Sequence, residues 1–228
     1  MAYFCSGKTN NELIAKLKAT GIISNDKVAD AMRTVDRAKY CTIHPYHDSP
    51  QPIGFNATIS APHMHAIALE VLLPNLKPGA KVLDVGCGSG YLTSCFASLV
   101  FLTFIHFQVY PNGKVIGIDH IPELVQHCQY NVNSDHPEYI NEGVVNFYEA
   151  DGREGYANEA PYDVIHVGAS SRTAPVALLE QLAVNGMMVI PITHTFTLIH
   201  KNEQGKLVEK PLMSVRYVGL TSRDEQIQ

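Results

Sequence analysis

The sequence predicts an α/β protein whose parallel sheet is covered by helices on both faces. Two observations carry this. Apolar runs of strand length recur at Val82–Val85, Lys114–Asp119, Val144–Ala150, Asp163–Gly168 and Gly186–Pro191, and helical patterns separate most of them. Such alternation joins parallel strands through crossover helices. The composition also suits one layered body, because 46% of the 228 residues are hydrophobic and can bury a sizeable core. One domain over residues 1–228 is expected, with 1–55 as a small helical and loop extension and 56–228 as the core.

In the first element, Leu13, Ile14 and Leu17 fall at helical spacing and Gly21 closes the helix. In the second, Asn25 can cap a stripe of Val28, Ala31, Met32 and Val35. Tyr40–Gly54 reads as irregular, since Pro45, Pro50 and Pro52 oppose regular structure. His44, His47, His63 and His65 have too few thiols or carboxylates near them, Asp48 apart, to form a metal set. His63 and His65 would not share a helix face either, and no metal is expected. In Ala57–Ala68, Ser60 precedes Pro62 and an apolar helical run. Its hydroxyl can cap that helix, or can help the neighbouring N–H groups to hold a carboxylate. One hydroxyl cannot do both in full.

The most informative stretch is Lys81–Tyr91, KVLDVGCGSGY. A buried strand ends in glycines at 86, 88 and 90, and a helix follows over Tyr91–Val100. Glycine permits positive φ and a close approach to the backbone, and the helix aims its free N–H groups at the loop. A dinucleotide fingerprint would need glycine where Tyr91 stands. The pattern is instead D-x-G-x-G-x-G, and Asp84 before the glycines suits a cationic ligand better than a pyrophosphate.

Lys114–Asp119 ends in an acid where open parallel sheets bind ligands. Pro122 opens a helix over Glu123–Asn133. The third strand runs into Asp151-Gly152, itself a common turn dipeptide. Helix Pro175–Val184 lies between the fourth and fifth strands. Thr195–His200, a turn near Gly205 and Met213–Leu220 read as a closing pair of strands. The run Leu99–Tyr110 is apolar but too short to span a bilayer. It could extend the helix, pair as an edge strand or cover a partner, and no function follows from it.

Net charge −5, pI near 6.1 and the lack of a Lys/Arg run argue against a nucleic-acid surface. MAYFCSGKTN has no apolar core of signal-peptide length. The cysteines at 5, 41, 87, 95 and 128 form no C-x-x-C pair. A reduced, cytoplasmic protein is expected.

The glycine pattern resembles the first motif of the class I S-adenosylmethionine methyltransferases. Together with DSPQPIGFNATISAPHMHA, KVIGIDH, ADGREGY and APYDVIHVGA, in that order, it resembles the protein-L-isoaspartate O-methyltransferase family over roughly residues 10 to 222. TISAPHMHA is the segment most specific to that family. The resemblance implies a three-layer Rossmann-like sheet, mostly parallel with a C-terminal antiparallel strand. It implies methyl transfer from S-adenosylmethionine to the free α-carboxylate of L-isoaspartyl residues in damaged proteins, and extends to D-aspartyl residues. S-adenosylhomocysteine is the second product, and the methyl ester collapses through a succinimide, partly to aspartate.

On the same resemblance Ser60 positions the substrate carboxylate, with Thr58 and Ile59 as the wall beside the cofactor. His65 lies near the cofactor carboxylate, although a satisfied helix histidine is an equal reading. Gly86 and Gly88 meet the methionine part, and Ala57, Asp84 and Ser89 belong to the same cofactor set. Asp119 and His120 meet the ribose and adenine, Asp151 and Gly152 the adenine, and Thr221 in GLTSRD closes the site. Monomeric action is implied, with no membrane partner. An α-carboxyl of ordinary pKa, about 3.3–3.7, is ionised at neutral pH and needs no general base. In-line positioning and removal of water from the carboxylate remain for the protein to supply.

Three departures stand out. Leu99–Tyr110 is longer than the family's usual link. Cys87 replaces a common serine. Ser170-Ser171-Arg172 and Ile192-Thr193-His194 replace Ala-rich and Gly-rich (PVG) loops on the substrate side. Two other classes stay open: a cofactor-binding adaptor without turnover, and a nicotinamide oxidoreductase, which Tyr91 disfavours.

Overall fold

A computed structural model describes residues 5–101 and 113–227. Helices α1 (Asn10–Ala19) and α2 (Asp26–Thr34) come first, then a hairpin of β1 (Gln51–Gly54) and β2 (Ala57–Ile59), then α3 (Pro62–Leu72). The core runs through β3 (Lys81–Val85), α4 (Tyr91–Val100), β4 (Lys114–Asp119), α5 (Pro122–Asp135), α6 (Pro137–Asn141) and β5 (Val145–Glu149). It continues through β6 (Tyr162–Val167), α7 (Val176–Gln181), β7 (Leu182–Ile192), β8 (Thr195–Lys201), β9 (Leu207–Ser214) and α8 (Arg223–Ile227).

The main sheet has the order β5-β4-β3-β6-β7-β8-β9. Its first five strands are parallel, while β8 is antiparallel to both β7 and β9. The chain winds outward from β3 to β5, then returns to β6 on the other side of β3. The C-terminal end of β3 is therefore the topological switch point, where open sheets leave a crevice for ligands.

Alternation along the strands sorts side chains between the two faces. Val82, Val115, Val145 and Val164 pack with residues of α1 to α5. Leu83, Val85, Ile116, Ile118, Ile165 and Val167 pack on the opposite face with Leu178 of α7. Each such side chain, fully buried, contributes roughly 1.5–3 kcal/mol. The same alternation puts Asp84 and His166 together on the first face.

The N-terminal helices form as their sequences dictate. Thr9 accepts from the N–H of Glu12 and Asn25 from that of Lys27, and Leu13, Ile14, Leu17, Val28 and Met32 are fully buried. Leu17 and Val28 belong to the same hydrophobic cluster as Val82, so the extension shares the core of the sheet.

Several boundaries differ from expectation. Tyr40–Gly54 is not irregular throughout, because Gln51–Gly54 pairs with Ala57–Ile59. Pro52 is tolerated there because it is exposed on a two-stranded edge, opposite Thr58. Ser60 is not the cap of α3. Ala61 holds that position without a side-chain bond, and the Asp48 carboxylate accepts the N–H of His63 at 2.9 Å. Helix α7 ends at Gln181 rather than Val184, because Leu182 turns extended to pair with Tyr162. The last strand is Leu207–Ser214, not Met213–Leu220. A tight turn in which Asn202 accepts from the N–H groups of Gln204 and Lys206 forces direct hairpin pairing with β8. The first five residues of β9 are exposed and lack the alternation that marks a strand in sequence. Of the apolar stretch beginning at Leu99, residues 102–112 lie outside the described residues.

Candidate functional site

The site grows from the loop after β3. Gly86, Gly88 and Gly90 take φ of +75°, +55° and +83°, angles that favour glycine. The N–H groups of Gly86 and Cys87 donate to the Ile118 carbonyl, which ties the loop to the end of β4. Asp119, the next residue, accepts from the Gly88 N–H at 3.2 Å and the Ile121 N–H at 3.1 Å. Burial pushes its carboxyl above the ordinary value despite these bonds. A carboxylate has about four lone-pair sites, so acceptor capacity remains for hydroxyl donors.

Two adjoining cavities open on this loop. Ala57, Thr58, Gly86, Gly88, Asp119, His120, Gly152 and Thr221 line the outer one. Thr58, Ile59, Ser60, His65, Asp84, Gly86, Gly88 and Ser89 line the inner one. Every candidate site residue except Asp151 thus borders one of them. The Asp151 carboxylate is taken by the Arg153 guanidinium, 2.6 Å away, which lowers its pKa. Thr221 bonds the Glu225 carboxylate.

The walls are backbone where a side chain would intrude. A Cβ on Gly152 would lie 2.6 Å from Val85 Cγ1, and one on Gly168 would lie 3.2 Å from the Gly86 carbonyl oxygen. This glycine cradle, with a buried acid at the end of β4, fits an adenosine-bearing cofactor whose ribose offers hydroxyl donors.

A groove of about 630 Å³ meets the cavities from the other side. Its walls include Asp48, His63, Met64 and the segment Met213–Val218. Thr58, Ser60 and Gly168 border both this groove and a cofactor cavity. Ser60 therefore stands at the junction, with Tyr217 against it. Burial pushes the Tyr217 phenol up to about 12, against a smaller opposing effect of Ser60.

The altered loops are stitched together beside this junction. Ser170 Oγ donates to the Thr193 carbonyl at 2.8 Å, and the Ser170 N–H to the Val218 carbonyl. Thr193 takes φ of +53°, a conformation that favours the glycine of the family's PVG pattern. Arg172 and His194 are exposed and do not border the groove.

Three residues escape a reading of the sequence alone. His166 donates from Nδ1 to Asp84 Oδ1 at 2.8 Å, while Thr93 donates to Oδ2 at 2.6 Å. A polar residue inside the apolar run DVIHVG was the available signal, since a buried imidazole requires a partner. Arg37 is fully buried behind Ser60 and His65. Gln226 borders the outer cavity, where its Oε1 takes the His120 Nε2 hydrogen at 2.8 Å and its Nε2 donates to the Phe55 carbonyl at 3.0 Å.

Comparison with known proteins matches residues 8–225 to the family described as Protein-L-isoaspartate(D-aspartate) O-methyltransferase. A protein-L-isoaspartate O-methyltransferase of Caenorhabditis elegans is 46% identical over 99% of this chain and 98% of its own length. One from Triticum aestivum is 48% identical over 96% of this chain and 94% of its own. A crystal structure assigned to a Plasmodium falciparum protein-L-isoaspartate O-methyltransferase, in complex with S-adenosyl-L-homocysteine, superposes with a TM-score of 0.84. It is 35% identical and covers 94% of this chain and 99% of its own.

Proposed function

The chain belongs to the protein-L-isoaspartate(D-aspartate) O-methyltransferase family, and on that premise we propose how its residues serve the family's reaction. The protein is a repair methyltransferase that moves a methyl group from S-adenosylmethionine to the α-carboxylate of isoaspartyl residues. The cofactor, when bound, supplies an electrophilic methyl on a sulfonium. Because the carboxylate is already ionised at neutral pH, no proton has to move before the new oxygen–carbon bond forms.

The chain's own work is positioning. Gly86 and Gly88 expose backbone to the methionine part, and Asp84 keeps a negative charge on that side of the loop. Asp119 accepts from the ribose, with His120, Gly152 and Thr221 around the base. Asp151 stiffens the turn through Arg153 and acts on the base only through Gly152. The Ser60 hydroxyl donates to the isoaspartyl carboxylate and turns one oxygen toward the inner cavity, while Thr58 and Ile59 exclude water. The placement of Ser60 on both the groove and the inner cavity carries this reading. The groove takes the peptide flanking the damaged residue. The adaptor alternative gains no support from relatives named as methyltransferases over nearly their whole length.

We also propose a single domain acting as a monomer in the cytoplasm, without nucleic-acid or membrane partners. The shared hydrophobic cluster, net charge −5 and five free buried thiols support this. Among the described residues no helix is long and apolar enough to cross a membrane.

Ser60→Ala tests the assignment. Calorimetry with S-adenosylhomocysteine should give unchanged affinity, while radiolabelled methyl transfer to an isoaspartyl peptide slows about 10- to 100-fold, the worth of one hydrogen bond to a charged group. An unchanged rate would remove Ser60 from the chemistry. Absence of transfer by the unaltered protein, in a sample that binds the cofactor, would restore the adaptor.

A further inference from the structure

Among the described residues Arg37 is the only cation buried to 0% exposure, and no carboxylate lies within ion-pair distance of it. It stands on the short turn Arg37–Lys39, which Asp36 caps. One guanidinium nitrogen donates to the Ser60 carbonyl at 2.7 Å. The other terminal nitrogen lies 3.2 Å from His65 Nδ1. The Tyr91 ring lies 5.3 Å from the guanidinium carbon, and Nε is buried without a partner. Burying a charge without an ionic partner opposes folding, so a cation kept here needs a reason.

Chemistry fixes the imidazole behind it. A guanidinium only donates and does not lose its proton. His65 Nδ1 must therefore accept. Burial and the neighbouring Arg37 charge hold His65 well below its ordinary value, so the ring is neutral and its hydrogen sits on Nε2. His65 borders the inner cavity beside Asp84, Gly86 and Gly88. It thus carries a donor there, backed by a positive charge that no side chain neutralises.

We propose that Arg37 is a positioning residue for the carboxylate of the cofactor's amino-acid end. It fixes His65 as the Nε2–H tautomer, supplies the charge that this carboxylate compensates, and with its second arm anchors the backbone of Ser60. This rests on the cofactor reading above.

The test compares two ligands that share adenosine and thioether but differ in the amino-acid end. S-adenosylhomocysteine carries the carboxylate, and 5′-methylthioadenosine does not. In calorimetry, Arg37→Met should weaken S-adenosylhomocysteine about 10- to 100-fold, as for a lost charge-assisted contact, and leave methylthioadenosine within about twofold. Arg37→Lys should recover part of the difference, because it restores charge without the fork. Equal losses for both ligands, or no loss for either, would overturn the proposal and leave Arg37 a packing residue. Failure of the unaltered protein to bind either ligand would instead bring down the cofactor reading itself. A second measurement needs no variant. Nitrogen NMR of the His65 ring should show bare Nδ1 and protonated Nε2, with Nε2–H responding to S-adenosylhomocysteine and not to methylthioadenosine. A proton on Nδ1, or equal responses, would overturn the assignment.

Discussion

Gly152→Ala isolates the steric demand on the cofactor cradle, because Gly152 does not occupy the positive-φ region and alanine can adopt its backbone. The added Cβ would stand 2.6 Å from Val85 Cγ1 and 3.0 Å from Leu220 Cδ1, where carbon atoms prefer about 3.5–4.0 Å. Val85 is fully buried at the end of β3 and directly precedes the glycine loop. Relief must come from moving that loop or Leu220. Overpacking of this kind costs about 1–3 kcal/mol, less about 0.4–1 kcal/mol recovered from the stiffer unfolded chain. A net loss of about 1–2 kcal/mol lowers Tm by roughly 2–8 °C in a chain of this length. Val85→Ala alone should cost about 2 kcal/mol, for two methyls and the space they leave. The double variant places the new methyl in that space, so its loss should fall short of the sum by at least about 1 kcal/mol. Urea unfolding of the four proteins measures the cycle. Calorimetry with S-adenosylhomocysteine should show affinity lost in Gly152→Ala and regained in the double variant. Additivity within about 0.5 kcal/mol would refute the argument, because the strain would then lie elsewhere than between Val85 and residue 152.

Two further outcomes follow from the outer cavity. Burial raises the Asp119 carboxyl above its ordinary value. Ionised Asp119 therefore subtracts stability at neutral pH, and that loss vanishes as pH falls below the unfolded value of about 3.9. Urea titrations should show Asp119→Asn improving relative to the unaltered protein as pH rises from about 3 to 7, while its S-adenosylhomocysteine affinity falls; a difference that stays flat with pH would contradict the sign. Gln226 links His120 to the Phe55 carbonyl across the outer cavity. Losing two hydrogen bonds of about 1 kcal/mol each in Gln226→Ala should speed S-adenosylhomocysteine release roughly thirtyfold in stopped flow; an unchanged rate would mean the C-terminal segment does not hold the site shut.

The sequence makes the core legible where one residue's neighbours in the chain are also its neighbours in space. Lys114–Asp119 and Tyr91–Val100 carry their whole pattern locally, and the structure places both with the expected bounds. The glycine loop is equally local, because its turn needs only its own backbone angles. Legibility fails where a distant partner decides. Pro52 argues against a strand until Thr58 provides an edge for it. The exposed residues of β9 become a strand only because β8 is already beside them. At the site, Asp84 is visible in its motif, but its partner His166 lies 82 residues away in the chain. Gln226 reaches His120 across 106 residues. Arg37 is 23 residues from Ser60 and carries no motif of its own. Its surroundings arise only once α3 lies against α2.

All five cysteines are free and buried, and they are spread through the molecule: Cys5 before α1, Cys41 before the hairpin, Cys87 in the glycine loop, Cys95 in α4 and Cys128 in α5. Burial pushes the thiols of Cys87, Cys95 and Cys128 up, away from the reactive thiolate. An alkylating reagent can therefore reach them only when the surrounding structure opens. The chain carries its own set of stopwatches, one for each region, read by mass spectrometry without any engineered label. Cys87 and Cys128, 3.3 Å apart across the loop and α5, report the breathing of the cofactor loop itself. Cys5 and Cys41 time the loosening of the N-terminal packing. The order in which the five are modified gives the order in which the molecule comes apart.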